Sequence, residues 1–370
     1  ICYSNTFMAD FVWDDASSIL LHKHVQDPTK FVQLFREDQH AFGRGQGNFY
    51  RPLVAASFML DMVITRVFSP DGTVPGLPVV SSKFNLSPFI FHVTSVLWHI
   101  AAAVALSFLL GRLAAPRFVQ AAVPLIYVVH PLHTEAVAYV SGRADSMSAA
   151  FMFAGLCFAT WDDSGRKRVL WALLSSACFI GGLLSKESAT IYPLLLAIVI
   201  FARPVTQGER KEEYLRRLLP LVLAAVLLGA YAWLRMTVLK FAQGSTTASP
   251  LGQRVVETMQ AFALYIRLLF MPLDLHMERT LTGVSSLTTV AGAALLVLML
   301  MLFVLSIYRK RYRVAAGLIW FLVTWFPISG IFPLNAPMAE HWLYVPMAGL
   351  LLAFMEVLND ASARPWVVRV

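Results

Sequence analysis

The chain has 370 residues, 58% of them hydrophobic and 14% charged, with a mean hydropathy of +0.64. That balance excludes a soluble globular domain and predicts a polytopic α-helical membrane protein. The net charge of +8 does not indicate a nucleic-acid partner, because most Lys and Arg fall in short loops between apolar segments, where they orient helices. Three cysteines cannot build a disulfide framework, since Cys157 and Cys178 lie inside apolar runs and leave only Cys2 for an aqueous compartment.

Residues 1–87 read as a long first external loop. An aromatic approach, Phe7 to Trp13, leads to Asp14-Asp15. Adjacent carboxylates suit proton abstraction from an acceptor hydroxyl, one taking the proton while its neighbour orients it or helps to hold a cation. The plainer reading is a turn, or the N-cap of Ala16–Leu21. Gly43-Arg44-Gly45-Gln46-Gly47 lacks the flanking strand and helix of a nucleotide loop and reads as a flexible segment. After Tyr50-Arg51-Pro52-Leu53, the apolar run 53–68 is too short and too polar to span a bilayer. On a helix, Leu53, Ala56, Leu60, Ile64 and Val67 share one face and Ser57, Asp61 and Thr65 another, the pattern of an interfacial helix roofing a site.

Residues 88–370 read as a transmembrane bundle with apolar segments near 88–111, 116–131, 146–161, 168–185, 189–203, 217–235, 287–308, 314–331 and 342–358. The basic clusters Arg112/Arg117, Arg166-Lys167-Arg168, Arg203 to Arg217 and Arg309 to Arg313 are assigned to the cytoplasm. The first loop, the His130–Asp145 loop, the Lys186-Glu187 turn and the Pro333–His341 loop then share the opposite side. Segment 254–272 is expected to be interfacial or re-entrant on that side, because a full crossing would export Arg309-Lys310-Arg311 and put Arg267 into lipid. His92 and His99, seven apart, share a helix face directed into the bundle.

Ionisable residues wedged between spans are costly and mark working sites, which singles out His130, His133, Glu135, Arg143 and Asp145 in the second external loop. No His-x-x-Glu-His or Cys-x-x-Cys pattern supports a metal site. Arg143 is expected to pair with Asp145 or with an anionic ligand, a guanidinium fork suiting phosphate. The alternative is a structural network closing helix ends. Arg51 and Lys186, each at a helix boundary, would either neutralise a phosphate or snorkel to headgroups.

These residues together resemble a known family. Phe11-Val12-Trp13-Asp14-Asp15, Tyr50-Arg51-Pro52-Leu53, Phe91-His92 through Leu97-Trp98-His99, His130-Pro131-Leu132-His133-Thr134-Glu135-Ala136-Val137-Ala138, Gly142-Arg143-Ala144-Asp145, Ser185-Lys186-Glu187 and Ala339-Glu340-His341-Trp342-Leu343-Tyr344-Val345-Pro346 look like the membrane core of TMTC-type O-mannosyltransferases and their bacterial relatives. The resemblance implies an all-α, polytopic transmembrane bundle of GT-C type with a large first external loop, usually followed by tetratricopeptide repeats. It implies an inverting transferase that moves a sugar, mannose by family, from a polyprenyl-phosphate carrier to Ser/Thr hydroxyls of a protein acceptor. In that scheme Asp14 or Asp15 is the base. The departing phosphate would be met by Arg51, Arg143, Lys186 or His341, with His130, His133, Glu135, Asp145, Glu187 and Glu340 in the same substrate-binding group. No resident cofactor is implied; a divalent cation at the acidic pair stays open.

Two positions depart from the family pattern: Ser95 replaces an expected Asn, and His341 stands where animal members carry Arg. The second replaces a permanent cation with a titratable one, which points to a bacterial relative working at the periplasmic face of the inner membrane and leaves the donor sugar open. The chain begins almost on the acidic pair and stops at Pro365-Trp366-Val367-Val368-Arg369-Val370 as another apolar segment opens, the expectation for the core of a longer protein. Two other classes compete with the enzyme: a scaffold subunit of a larger membrane complex, and a polyprenyl-lipid transporter, which would need a continuous path of buried ionisable groups.

Overall fold

The computed structural model describes residues 2–42, 48–68, 86–161, 166–202, 217–239, 249–277, 279–334 and 336–362. The glycine run 43–47, most of the 203–217 charge run and the 365–370 segment lie outside the described residues. Among the described residues there is no strand, and every predicted apolar segment contains a helix. The helices are α1 Pro52–Phe68, α2 Phe89–Arg112, α3 Arg117–Val129, the short α4 Thr134–Ala138, α5 Arg143–Ala159, α6 Arg166–Leu183, α7 Tyr192–Ala202, α8 Leu219–Thr237, α9 Leu251–Phe270, α10 Ser286–Tyr308, α11 Tyr312–Trp325 and α12 Tyr344–Ser362. By length and composition Phe89–Arg112, Leu219–Thr237, Ser286–Tyr308 and Glu340–Ser362 can each cross a membrane. The chain is a helical membrane protein.

The core follows from where small residues let helices meet. The α11–α12 pair crosses at two glycines: a Cβ on Gly349 would stand 2.6 Å from Trp320 Cδ1 and 2.7 Å from the Gly317 carbonyl oxygen. Small residues at such crossings let backbones approach where lipid offers no hydrophobic drive. Phe153, Leu156, Phe179, Leu195 and Leu352 fill the space between α5, α6, α7 and α12.

Three breaks bring polar loops to one end of this bundle. Pro131 forces His130 into an extended conformation and ends α3. The 140–142 turn then packs onto α4 so closely that a Cβ on Gly142 would lie 2.6 Å from the Glu135 carbonyl oxygen. Lys186, also extended, separates α6 from a 3-10 turn that leads into α7. The start of α12 completes this upper end.

Helix α9 has its polar contacts at the same end. Thr258 donates to the Ser329 carbonyl (2.9 Å), Tyr265 to that of Ala339 (3.2 Å), and His130 Nε2 to that of Leu269 (3.1 Å). Arg267 is half-exposed and pairs with Asp274 at 3.4 Å.

Helix α1 turns its two faces as its polarity dictates. The stripe with Leu60 and Val67 is exposed, whereas Asp61 and Thr65 are buried with Val54, Phe58 and Met62 against the bundle. The polar stripe points inward because Asp61 meets Arg143 there, at 2.6 Å.

Candidate active site

The acidic pair divides into two roles. Trp13 has a φ of +50°, the left-handed region that costs a non-glycine residue energy. That turn folds the chain back so that Val12 N–H donates to Asp15 Oδ2 at 3.0 Å. Asp15 Oδ1 accepts from Ser141 N (2.8 Å) and Ser141 Oγ (2.6 Å). Asp15 is fully buried, and its three hydrogen bonds tie the first loop to the 140–142 turn. Burial pushes its pKa up to about 6 although those hydrogen bonds pull it down. Asp14, one residue earlier, is exposed and faces a cavity.

This cavity, of about 250 Å³, gathers half of the predicted site residues: Asp14, Arg51, Glu135, Asp145, Lys186 and His341 line it with Trp13, His40, Tyr139 and Trp342. Lys186 Nζ lies 2.6 Å from both Asp145 oxygens. His341 Nδ1 is 2.6 Å from Glu135 Oε1, and its backbone N–H donates to Oε2. Arg51 donates through Nε and Nη2 to Glu187 Oε2 at 3.1 and 3.0 Å and stacks on Phe49, which leaves Nη1 without a hydrogen-bond partner among the described residues. Of the three carboxylates lining the cavity, Asp14 alone has no ion pair among the described residues. A more apolar cavity of about 330 Å³ adjoins, sharing Glu135, Tyr139 and Met277 as its wall.

Four predicted residues lie elsewhere. Arg143 does not pair with Asp145: it is wholly buried against Asp61, with Nε on Ser95 Oγ (3.1 Å), Nη1 on Ser57 Oγ (3.0 Å) and Nη2 on the Phe91 carbonyl (2.6 Å). Asp145 is taken by Lys186, and the Phe58 ring 4.7 Å from the guanidinium carbon closes the site to water. Ser95, the first departure from the family pattern, is therefore a ligand of Arg143. His130 spends both ring nitrogens on backbone, accepting from Leu132 N–H and donating to Leu269. His133 is buried between the Tyr127 and Tyr344 rings, 4.5 and 4.4 Å away. Glu340 faces the 274–279 loop, accepting from His276 N–H (3.0 Å) and Arg279 Nη2 (2.9 Å).

His40 was not singled out in the sequence, where an isolated His carries no signal. Its Nδ1 lies 2.8 Å from Ser17 Oγ, and Ser17 itself donates to the Asp14 carbonyl at 3.0 Å. Ser18 Oγ lies 3.1 Å from the same nitrogen and accepts from Gln39 Nε2 at 3.3 Å, so Nδ1 is held between two hydroxyls. Burial lowers the pKa of His40, which keeps the ring neutral at pH 7, while Asp14 and Asp38 oppose the shift. Asp61 and Arg279 were likewise missed; only the inward polar stripe of α1 could have announced Asp61.

Among the described residues, no group of three or more His, Cys, Asp or Glu side chains is placed to hold a metal ion. Glu135 and Asp145 are taken up by His341 and Lys186, so the donors present do not fit a divalent cation beside Asp14.

The burial of Asp15 predicts an acid-side stability slope. Its folded pKa of about 6 lies above the usual carboxylate value of about 4, so between these pH values the folded chain holds more protons than the unfolded one. Stability then falls as pH rises through that window and levels off above it. Asp15→Asn removes the slope and also turns an amide donor towards Val12 or Ser141 N–H, at a cost of about 1–3 kcal/mol. Thermal midpoints between pH 4.5 and 7.5 check both; an unchanged slope in the variant would assign it to another group.

The chain is similar to proteins named protein O-mannosyl-transferases. It is 28% identical over 281 residues to Tmtc2 of Drosophila melanogaster, covering 74% of this chain and 27% of that protein. It is 27% identical over 249 residues to mouse TMTC4, covering 58% and 31%. With F38B6.6 of Caenorhabditis elegans it is 24% identical over 386 residues, covering 98% of this chain and 50% of that protein. The chain is thus similar to TMTC-type proteins and spans between about a quarter and a half of these relatives' lengths. No protein-family model and no solved structure matches it.

Proposed function

We propose that the chain is the membrane core of an inverting GT-C glycosyltransferase that moves a mannosyl group from a polyprenyl-phosphate carrier to a Ser or Thr hydroxyl of a protein acceptor. The observation that carries this reading is one cavity that holds an unpaired carboxylate, Asp14, opposite two cations, Arg51 and Lys186. The relatives' names support the sugar and the acceptor class.

In the reaction the acceptor hydroxyl gives its proton to the Asp14 carboxylate as its oxygen bonds to the sugar's anomeric carbon. The bond from that carbon to the phosphate oxygen breaks, and the phosphate leaves with the electron pair. Arg51 Nη1 and Lys186 Nζ meet the charge that grows there, and His341 adds a further donor. His40, whose ring burial keeps neutral, adds an imidazole to the same cavity. The adjoining apolar cavity suits the carrier's first isoprene units. The site would face the periplasm in a bacterial inner membrane, because the described basic turns at Arg112/Arg117 and Arg309 to Arg313 lie at the opposite end.

The test is mannose transfer from a polyprenyl-phosphate mannose to a mixed Ser/Thr peptide pool by the full-length protein. Transfer with inversion at the anomeric carbon is expected. An inactive protein that also fails to bind the donor overturns the reading.

A further inference from the structure

An apolar groove of the bundle lies away from this site. Helix α10 packs along α9 and α11, and between α10 and α12 runs a groove of about 470 Å³ floored by Val314 and Leu318 of α11. Leu295, Leu298, Leu302 and Leu305 form one wall; their spacing of three and four puts them on one face of α10. Leu350, Phe354 and Val357 of α12 form the other. Ile266 and Phe270 of α9 close the upper end.

The lower end is cationic. Arg309 and Arg311, in the turn between α10 and α11, complete the lining. Arg311 lies 3.5 Å from Asp360, both partly exposed, and Arg309 is exposed with no ion pair among the described residues. From Tyr344, two residues past the cavity-lining Trp342, to Asp360 is sixteen residues of α12, about 24 Å, so the two ends of the bundle are chemically separate.

The length identifies the occupant. Leu295 to Arg309 spans about 21 Å of helix, against about 15 Å for half of a hydrocarbon core of about 30 Å. The groove therefore runs the depth of one leaflet, closes in the apolar interior and opens onto cations at headgroup level. A polyprenyl chain would outrun the closed end, whereas a fatty acyl chain fits it. We propose that this groove is a binding site for an anionic glycerophospholipid, one acyl chain lying between α10 and α12 and the phosphate held by Arg309 and Arg311.

The test uses the full-length protein, stripped of lipid in detergent and returned to vesicles of phosphatidylglycerol or phosphatidylcholine, with tightly bound lipid counted by native mass spectrometry. The wild type should keep one phosphatidylglycerol through detergent washing and prefer it to phosphatidylcholine about tenfold, one charge-assisted contact's worth of affinity. Arg309→Gln should abolish the preference, and Leu302→Trp, which fills the groove from a half-exposed position, should lower retention of both lipids. Lys310→Gln removes a neighbouring cation that does not line the groove and should change nothing. Equal retention of both lipids by the wild type overturns the site, as does retention by Leu302→Trp equal to the wild type's. An effect of Lys310→Gln matching that of Arg309→Gln would assign the preference to diffuse surface charge and overturn it too.

Discussion

Asp14→Asn lowers sugar transfer by about 10²–10⁴-fold and leaves the thermal midpoint where it was. The size is that of a general base removed from a positioned proton transfer. The unchanged midpoint follows because Asp14 is exposed and has no ion pair among the described residues to lose. Steady-state transfer with saturating lipid donor, beside a melting curve of the same preparation, checks both halves. The contrast with its neighbour is the sharper part of the prediction, since Asp15 spends three hydrogen bonds on holding the loop. A variant that transfers sugar at the wild-type rate would move the base from Asp14 to another group of the cavity, His40 being the next to replace. A variant that melts early would instead give Asp14 a structural role.

Arg143→Leu destabilises the bundle by about 3–5 kcal/mol, the cost of leaving a buried carboxylate without its partner. Asp61, 1% exposed, would keep only the Thr94 hydroxyl at 2.8 Å, and Ser57, Ser95 and the Phe91 carbonyl would lose their shared donor. The effect reaches the cavity because Arg143 opens α5 beside Ser141, which anchors Asp15. The double variant Arg143→Leu/Asp61→Leu should recover most of the loss, as replacing a whole buried pair by apolar groups is commonly tolerated. Chemical denaturation in detergent measures both. A loss under about 1 kcal/mol in the single variant would mean that water reaches Asp61 and that the network does not hold α1 to the bundle.

Much of the architecture could be read directly from the chain. Hydrophobic runs of helical length predict helices whatever they pack against, because in lipid the backbone must satisfy its hydrogen bonds within the segment. Each apolar segment is helical for that reason. The cavity's membership was also largely legible: Asp14, Arg51, Glu135, Asp145, Lys186 and His341 come from four separate stretches, yet each sits at a boundary between polar and apolar sequence. Boundaries of one topological side must meet at one end of a bundle.

Pairing was not legible. Arg143 has a carboxylate two residues away in sequence, but successive helical side chains point to different faces. Its partner proved to be Asp61, from a helix more than eighty residues earlier, and Asp145 proved to belong to Lys186. The split of Asp14 from Asp15 is of the same kind, for no local rule says which of two adjacent carboxylates a left-handed turn at Trp13 will bury. The sequence by itself determined the class of protein, the helices and the short set of boundary residues from which a site could be made, since composition, period and charge act locally. Only the tertiary structure decided which carboxylate was left unpaired, which arginine became part of the core and where His40 stands. Those outcomes depend on distances between segments far apart in the chain, which packing sets after the helices have formed.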